Sequence, residues 1–228
     1  MKIAVIRRNS GENTIVCKIL SDLRISFSDI SYPSNIYLEI LDSKDYSPIC
    51  FLNDNPLSSF DKIIYLGYPS TIKKNFPSAD EIFILQERTQ AFLACFYCLD
   101  KKKIINSGYV FRWNKTVMNE SLFKRYFASL EIKILEEVMS NHSVFRESKF
   151  ENNKYLILVK RQSNIFSTNN QLERKIFQAG LSFLIEFDLD WCVIFYCQDT
   201  LEISRVIVDF SYLSYEITKQ ILQDLLCC

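Results

Sequence analysis

Short apolar runs and helix-like patterns alternate along the first half of the chain. Residues 2–7 (KIAVIR) are an apolar run that ends in charge, as a buried strand does, and the apolar positions of residues 13–23 recur at helical spacing after the N-cap residue Asn13. Further strands are predicted at 36–41, 48–52, 62–67, 81–85 and 103–106, and a further helix at 86–100. This α/β alternation predicts a mostly parallel sheet with helices on its faces, a small Rossmann-like domain over residues 1–112.

The second half of the chain closes with three apolar runs and an amphipathic segment. The runs LSFLIEF, DWCVIFYCQD and EISRVIVDFS predict three strands from residue 181 onward, and YEITKQILQDLLCC predicts a terminal helix. Before them, residues 129–178 predict a helix at 131–142, a strand at 154–162 and a short helix at 172–180. Residues 113–228 are therefore expected to form a second, α+β domain.

Charge and glycine content exclude several classes of function. The formal net charge is zero, so no broad basic field is expected to attract nucleic acid or an anionic membrane. The four glycines stand alone, whereas loops that cradle phosphate need clustered glycines. No apolar run approaches the roughly 20 residues of a membrane helix, and the eight cysteines lie mostly in apolar runs, which favours a cytoplasmic protein with reduced thiols.

Histidine and cysteine offer little support for catalysis or metal binding. The single histidine, His142, lies among small polar residues at a predicted helix end, where a cap interaction is the simpler interpretation. Cys95 and Cys98 form a CxxC pair, but no second pair completes a zinc site. Two thiols on the buried face of the predicted helix explain the spacing better.

Several short motifs occur in an order that resembles ATP-grasp ligases of the graspetide-maturase and glutathione-synthetase-like kind. Arg88 and Ala91 stand on a predicted helix, Asn106 ends a predicted strand, and Asn114 and Lys115 open the next helix. The closing strands and helix continue the same order. The resemblance implies a Rossmann-like domain ahead of an ATP-grasp core, and ATP-dependent joining of a carboxylate to an amine with magnesium.

The chain departs from this family where the metal ligands are expected. The resemblance implies an acidic residue on one closing strand and a Glu-x-Asn triplet after the next. Here the first position falls on Phe195 or Tyr196, and the triplet reads Asp209-Phe210-Ser211. Phenylalanine offers no oxygen to a hard cation. Residues 129–178 are also too few to hold the central subdomain that clamps the nucleotide in the family.

Three carboxylates and two lysines remain as candidate site residues. Asp188 and Asp190 would project from one side of a strand and could bind magnesium together with Asp209. The alternative is that LDLDW marks a turn, where Asp is favoured for its backbone bonding. Lys160, at the end of a predicted strand, is the candidate lysine for contacting the nucleotide, and Lys115 is a weaker candidate. The alternative is that Lys160 is simply solvated.

Two hypotheses follow from these observations. The first is a non-catalytic, ATP-grasp-like pseudo-ligase without a cofactor, a binding or scaffolding subunit in a peptide-modification system whose partner is a peptide or an active ligase subunit. The alternative is an active ATP-dependent carboxylate–amine ligase with a reduced site for ATP and magnesium. Neither hypothesis involves nucleic acid or a membrane, and the sequence leaves open whether the chain forms an oligomer.

Overall fold

A computed structural model of the chain describes residues 1–7, 14–31, 36–39, 49–52, 54–66, 101–106, 120–134, 153–160, 171–197, 199–210 and 213–226. The chain is a mixed α/β protein with small parallel and antiparallel sheets. It divides into two compact units: Met1–Lys115 with Asp209–Lys219, and Thr116–Val208 with Gln220–Cys228. The domain boundary at 112/113 and the reduced ATP-grasp architecture stay predictions.

The first unit is built around a parallel sheet. Its elements are β1 (Ile3–Arg7), α1 (Thr14–Asp22), β2 (Phe27–Ser31), β3 (Ile36–Glu39), β4 (Ile49–Leu52), β5 (Asn55–Pro56) and β6 (Lys62–Tyr65). Strand β1 lies between β2 and β6, parallel to both. Its residues 3–6 are fully buried, as the uninterrupted apolar run predicted, because a parallel strand is covered on both faces.

The strands predicted at 36–41 and 48–52 exist, but they do not join the parallel sheet. They form a separate antiparallel sheet, ordered β3-β4-β5. A parallel crossover needs about a dozen residues or more, and only residues 40–48 connect β3 to β4. The expectation of a mostly parallel sheet was therefore wrong for this part of the chain.

The predicted strand at 103–106 is reduced to a single bridge. Lys101–Lys103 form a short 3-10 helix, and Ile104 makes one parallel bridge to Ile63 of β6. The predicted strand at 81–85 and helix at 86–100 lie outside the described residues. So do His142, Cys95 and Cys98.

The second unit carries an antiparallel sheet with helices against it. Its elements are α2 (Glu120–Ser129), β7 (Asn153–Val159), α3 (Gln171–Glu186), β8 (Trp191–Cys197) and β9 (Ile203–Ile207). The sheet order is β7-β8-β9, with every pair antiparallel. The last helix, α4 (Tyr215–Leu226), begins in the first unit and ends in the second.

The segment 181–186, which was expected to be a strand, is the C-terminal part of helix α3. Buried side chains recur through α3 at helical spacing: Ile176, Ala179, Gly180, Phe183 and Leu184. This stripe faces the sheet. Gly180 does not interrupt the helix. A β-carbon there would lie 2.2 Å from Cδ1 of Leu158 and 2.7 Å from Cδ1 of Ile194, so the glycine lets the helix approach β7 and β8 closely.

The helix predicted at 131–142 does not begin at residue 131. Helix α2 ends where Glu131 adopts a positive φ of 57°, and the Ile132 amide donates to the Phe127 carbonyl at 3.1 Å. The chain then runs extended beside β9, where the Ile203 amide donates to the Lys133 carbonyl at 2.9 Å and Ile134 bridges Ile203. Residues 135–142 lie outside the described residues.

Within the part of the chain that the structure describes, no helix has the length and apolar character needed to cross a membrane.

Candidate functional site

Two of the candidate carboxylates lie in a turn. Helix α3 ends at Glu186, Asp188 has a φ of 51°, and the Leu189 amide donates to the Leu184 carbonyl at 2.8 Å. Asp188 and Asp190 therefore occupy the connection from α3 to β8 and not a strand. The turn alternative is the arrangement observed, although the turn joins a helix to a strand and not two strands.

Lys160 contacts both of these turn residues. Its Nζ lies 3.2 Å from Oδ1 of Asp188, and its backbone amide donates to the Asp190 carbonyl at 2.7 Å. Both charged side chains are half exposed. An exposed ion pair contributes only about 0–1 kcal/mol, so this pair adds little to the stability of the fold. Three of the five candidate residues are thus neighbours.

The other two candidate residues are Asp209 and Lys115. Asp209 is buried and lies in the segment 209–219, which belongs to the first unit, whereas Lys160, Asp188 and Asp190 belong to the second. Lys115 lies outside the described residues. Among the residues described, no group of three or more His, Cys, Asp or Glu side chains could hold a metal ion. The metal-binding and nucleotide-binding roles of all five residues stay predictions.

The register of the sheet places Phe195 and Tyr196 on opposite faces. Tyr196 lies on the face covered by α3, where its hydroxyl donates to Oε1 of Glu173 at 3.1 Å. Burial, and then the charge of Glu173, raise the pKa of Tyr196 to about 12. Lys154 reaches the same carboxylate oxygen at 3.8 Å. Tyr196 is consequently a buried, neutral group held by its hydrogen bond.

Phe195 lies on the other face of the sheet, between two strand neighbours. It pairs directly with Tyr155 of β7 and with Arg205 of β9. Directly opposed residues in antiparallel strands project from the same face, so the three side chains form a row across the sheet. We call Tyr155, Phe195 and Arg205 the aromatic–arginine row. The two rings are 5.9 Å apart between centroids, and Tyr155 is 47% exposed.

Sequence reasoning missed the aromatic–arginine row. Phe195 and Tyr196 stand in the sequence analysis as alternatives for one metal-ligand position, but adjacent residues of a strand point to opposite faces. The alternation along each strand was a usable signal. The pairing of Phe195 with Arg205 was not predictable, because it depends on the register and on a β-bulge between Phe195 and Tyr196.

A second feature that was missed is an ion pair in the first unit. Nε of Arg7 lies 2.6 Å from Oδ1 of Asp29, and its terminal nitrogen contacts the other carboxylate oxygen. Arg7 is buried at the carboxyl end of β1, and its hydrogen bond to Asp29 raises the pKa of the guanidinium. The sequence signal for this ion pair was a single charged residue, Arg7, at the end of an apolar run. The pair ties β1 to β2 and neutralises a buried charge.

No protein-family model and no curated protein matches the chain. Several solved structures do match the chain. The macrocyclase MdnC of Microcystis aeruginosa MRC, bound with the precursor peptide MdnA, has a TM-score of 0.62 at 11% identity over 100% of both chains. A RiPP-associated ATP-grasp ligase of Chryseobacterium gregarium, in complex with ADP and a leader and core peptide, has a TM-score of 0.57 at 13% identity over 99% of this chain and 96% of the other.

A third similar structure is the ATP-grasp ligase PsnB, complexed with a minimal precursor, Mg and ADP. Its TM-score is 0.57 at 9% identity, over 99% of this chain and 97% of the other. Identities this low establish the fold alone. The resemblance noted in the order of the sequence motifs is confirmed at that level: the chain has the fold of the ATP-grasp ligases that modify ribosomal peptides.

Proposed function

We propose that this chain is a non-catalytic, ATP-grasp-like subunit of a peptide-modification system. It binds a peptide, or an active ligase subunit carrying one, and does not turn over ATP. The observation that carries this proposal is the aromatic–arginine row, which stands where the resemblance implies the first acidic metal ligand.

Magnesium chemistry is disfavoured at the row. Neither Phe195 nor its strand partner Tyr155 has a carboxylate, and the residue opposite Phe195 on β9 is Arg205 and not an acidic residue. Mg²⁺ is a hard cation that binds through carboxylate and phosphate oxygens. Tyr196, the other residue that the motif could assign, turns its hydroxyl to Glu173 on the helix side of the sheet.

The ion pair of Lys160 gives a second, weaker support. A lysine that neutralises nucleotide phosphates needs its ammonium group available to them. Here the Lys160 ammonium lies 3.2 Å from the Asp188 carboxylate. A nucleotide would have to displace that contact.

The peptide in the proposal comes from the similar structures. MdnC, the Chryseobacterium ligase and PsnB were each solved with a precursor or with leader and core peptides. A subunit that has this fold but no catalytic activity would still have a function in binding the peptide. The proposals that the chain acts as a scaffold and that it pairs with an active ligase subunit rest on the same reasoning.

The alternative is an active ATP-dependent carboxylate–amine ligase with a reduced site. One observation favours it: Lys160, Asp188 and Asp190 come together at the end of β7. In that case the binding of ATP and Mg²⁺ would depend on these residues; Asp209 and Lys115 are the other candidates from the sequence. Two of the similar structures hold ADP, one of them with Mg.

A thermal melt separates the two functions. At 100-fold saturation a ligand stabilises its protein by about 2.7 kcal/mol, which is about 5–10 °C for a chain of this size. We expect a change below about 1 °C with millimolar ATP and Mg²⁺. A shift of the larger size that is lost in Lys160→Ala or Asp209→Asn, and kept in the control Lys102→Ala, would reveal an ATP site and favour the ligase instead.

A further inference from the structure

Strand β7 (Asn153–Val159) lies at the edge of the second unit's sheet. We infer that this strand is the peptide-binding element of the proposed function, on which the assignment rests. An extended peptide adds to the outer edge of β7 as a further antiparallel strand. It is held by the main-chain N–H and C=O groups of Tyr155 and Ile157, and its apolar side chains lie on the face that carries the Tyr155 ring.

Hydrogen bonding within the sheet establishes which main-chain groups of β7 point outward. The Lys160 amide donates to the Asp190 carbonyl at 2.7 Å, and these two positions continue the register of the β7–β8 ladder. In an antiparallel pair, alternate residues bond to the neighbouring strand, and the residues between them turn their N–H and C=O groups away. The even-numbered residues of β7 therefore bond to β8, whereas the odd-numbered residues, Tyr155 and Ile157 among them, point to the outer edge.

The hydrogen bonds of β8 agree with this alternation. Cys197 stands opposite Asn153, and its amide donates to the Glu202 carbonyl at 2.9 Å, on the β9 side. A residue of β8 that bonds toward β9 does not bond to its partner on β7. The odd-numbered residues of β7 consequently keep their main-chain groups for a strand on the outer side.

The outer edge of β7 is exposed and has none of the usual protection against strand pairing. Tyr155 is 47% exposed and Ile157 is half-buried. Among the strands that the structure describes, β8 alone pairs with β7. Edge strands are commonly protected by proline, bulges or charges. The run YLILV at 155–159 has no proline or charge, and its register with β8 is continuous.

The opposite edge of the same sheet is covered by the chain itself. There the Ile203 amide of β9 donates to the Lys133 carbonyl at 2.9 Å, and Ile134 bridges Ile203. The part of the chain that the structure describes thus pairs with the β9 edge and not with the β7 edge. An unpaired apolar edge is a template for another extended chain.

The length of the accessible edge selects a peptide over a second copy of the chain. Val159 is 1% exposed, so the accessible edge ends at Ile157 and spans only about 14 Å from Asn153. A stable interface between two folded proteins takes about 20–30 residues from each partner, which is far more than this edge supplies. A single extended segment needs only the main-chain groups of the edge and the space beside Tyr155.

The register also determines which peptide side chains meet the Tyr155 ring. A peptide residue that bonds to Tyr155 in an antiparallel ladder projects from the face that carries Tyr155 and Phe195, whose rings are 5.9 Å apart between centroids. β-Branched apolar side chains pack well beside aromatic residues on such a face. The preferred segment therefore has apolar residues at alternate positions, and these same residues form the hydrogen bonds to β7.

Fluorescence anisotropy with N-methylated peptides tests this pairing. The full chain is titrated with the labelled peptide Lys-Thr-Val-Thr-Val-Thr-Val-Thr-Lys, and with two variants that carry N-methyl groups on the valines or on the threonines. An N-methyl group removes a hydrogen-bond donor, as proline does. We expect methylated valines to weaken binding at least about tenfold and methylated threonines to change the Kd less than about twofold, because only the valine amides face β7.

A matched pair of substitutions locates the binding site. Tyr155→Pro and Tyr155→Ala both remove the ring, but only proline also removes the outward N–H. Proline is tolerated in an edge strand where the N–H faces away from the sheet. We expect Tyr155→Pro to bind the unmethylated peptide at least about fivefold more weakly than Tyr155→Ala. Melting temperatures verify that both variants are folded.

Amide hydrogen exchange measured by NMR gives a readout on the unsubstituted chain. The amides of Tyr155 and Ile157 are expected to exchange at least about tenfold more slowly when the unmethylated peptide is saturating. The amides of Leu156 and Leu158 bond to β8 and are the internal control, because they are protected with or without the peptide.

Several results would overturn the inference. It fails if the two methylated peptides bind equally, if the unmethylated peptide does not bind, or if Tyr155→Pro binds as tightly as Tyr155→Ala. It also fails if the Tyr155 and Ile157 amides become protected at rising protein concentration without peptide, because a second copy would then occupy the edge. Peptide binding that leaves these two amides unprotected refutes the edge site and leaves the proposed function standing. A large melting shift with ATP and Mg²⁺ removes the proposed function itself.

Discussion

At the scale of single residues, environment decides what each candidate group can do. Tyr196 and Phe195 are neighbours in the sequence, yet Tyr196 is a buried hydrogen-bond donor to Glu173, whereas Phe195 is part of the aromatic–arginine row on the other face of the sheet. The carboxylates of the LDLDW segment are turn residues, because α3 needs a positive φ at Asp188 to reverse into β8. Neither outcome follows from residue type alone.

The pH dependence of stability tests the environment of Tyr196. Its folded-state pKa is raised to about 12, above the ordinary value of about 10, by burial and by Glu173. The neutral phenol is thus favoured in the folded state. This preference contributes about 2–3 kcal/mol to the free energy of unfolding. The contribution is fully present below about pH 10 and is lost as the pH rises from about 10 to about 12.

Denaturant unfolding of wild type and Tyr196→Phe at pH 8 and at pH 11 measures this loss. We expect the wild type to lose more stability than the variant over that interval. The partly buried Glu173 would also lose a donor in the variant, so we expect a cost of about 1 kcal/mol at pH 8. Equal losses in the two proteins between pH 8 and pH 11 would show that Tyr196 ionises normally.

At the scale of elements, the second unit depends on how closely α3 approaches its sheet. The helix runs without interruption past Gly180, with Leu158 of β7 and Ile194 of β8 directly beneath it. Both of these side chains are buried. The helical spacing of the buried residues continues through Phe183 and Leu184, so a segment that was expected to be a strand is helical in the structure.

Gly180→Ala tests this packing. Alanine gains about 1 kcal/mol of helix propensity over glycine, but overpacking a buried contact costs about 1–3 kcal/mol. We expect a net destabilisation of about 1 kcal/mol, because both Leu158 and Ile194 must move. Gln178→Ala, on the exposed face of the same helix, is the control and should be neutral or stabilising. A melting temperature for Gly180→Ala at or above that of the wild type would contradict the close contact.

At the scale of the whole molecule, the two units are not consecutive halves of the chain. The segment 209–219 returns to the first unit, where Tyr215 hydrogen-bonds to Asp22 and Lys18 lies over the Tyr215 ring at 5.7 Å. The remainder of α4 belongs to the second unit, with Ile221 and Leu222 fully buried. Each unit is therefore completed by residues from the last twenty positions.

A chain that ends at Val208 tests this organisation. It loses buried Phe210 and Leu213 from the first unit and Ile221 and Leu222 from the second. Burial of such a side chain contributes about 1.5–3 kcal/mol, so the sum approaches the about 5–15 kcal/mol that stabilises a typical domain. We expect calorimetry to show no cooperative transition for the shortened chain. A chain ending at Leu226 is the control and should melt as the wild type; a cooperative melt of the shorter chain near that temperature would refute the dependence.

The sequence predicted the features that depend on local pattern. Strand β1, helix α1, the strands β7 to β9 and helix α4 lie where apolar runs and helical spacing indicated. The order of short motifs also predicted the ATP-grasp fold. These features were predictable because the burial of an apolar run and the period of an amphipathic helix are properties of neighbouring residues.

Only the tertiary structure decided the features that join distant residues. It turned 181–186 into helix, separated β3 and β4 from the parallel sheet, paired Lys160 with Asp188, and aligned Phe195 between Tyr155 and Arg205. Each of these depends on sheet register, on connection length or on contact across elements. The sequence by itself therefore determined the kind of fold, whereas the register of one antiparallel sheet determined which side chains lie together on each of its faces, because a shift of one residue exchanges the two faces.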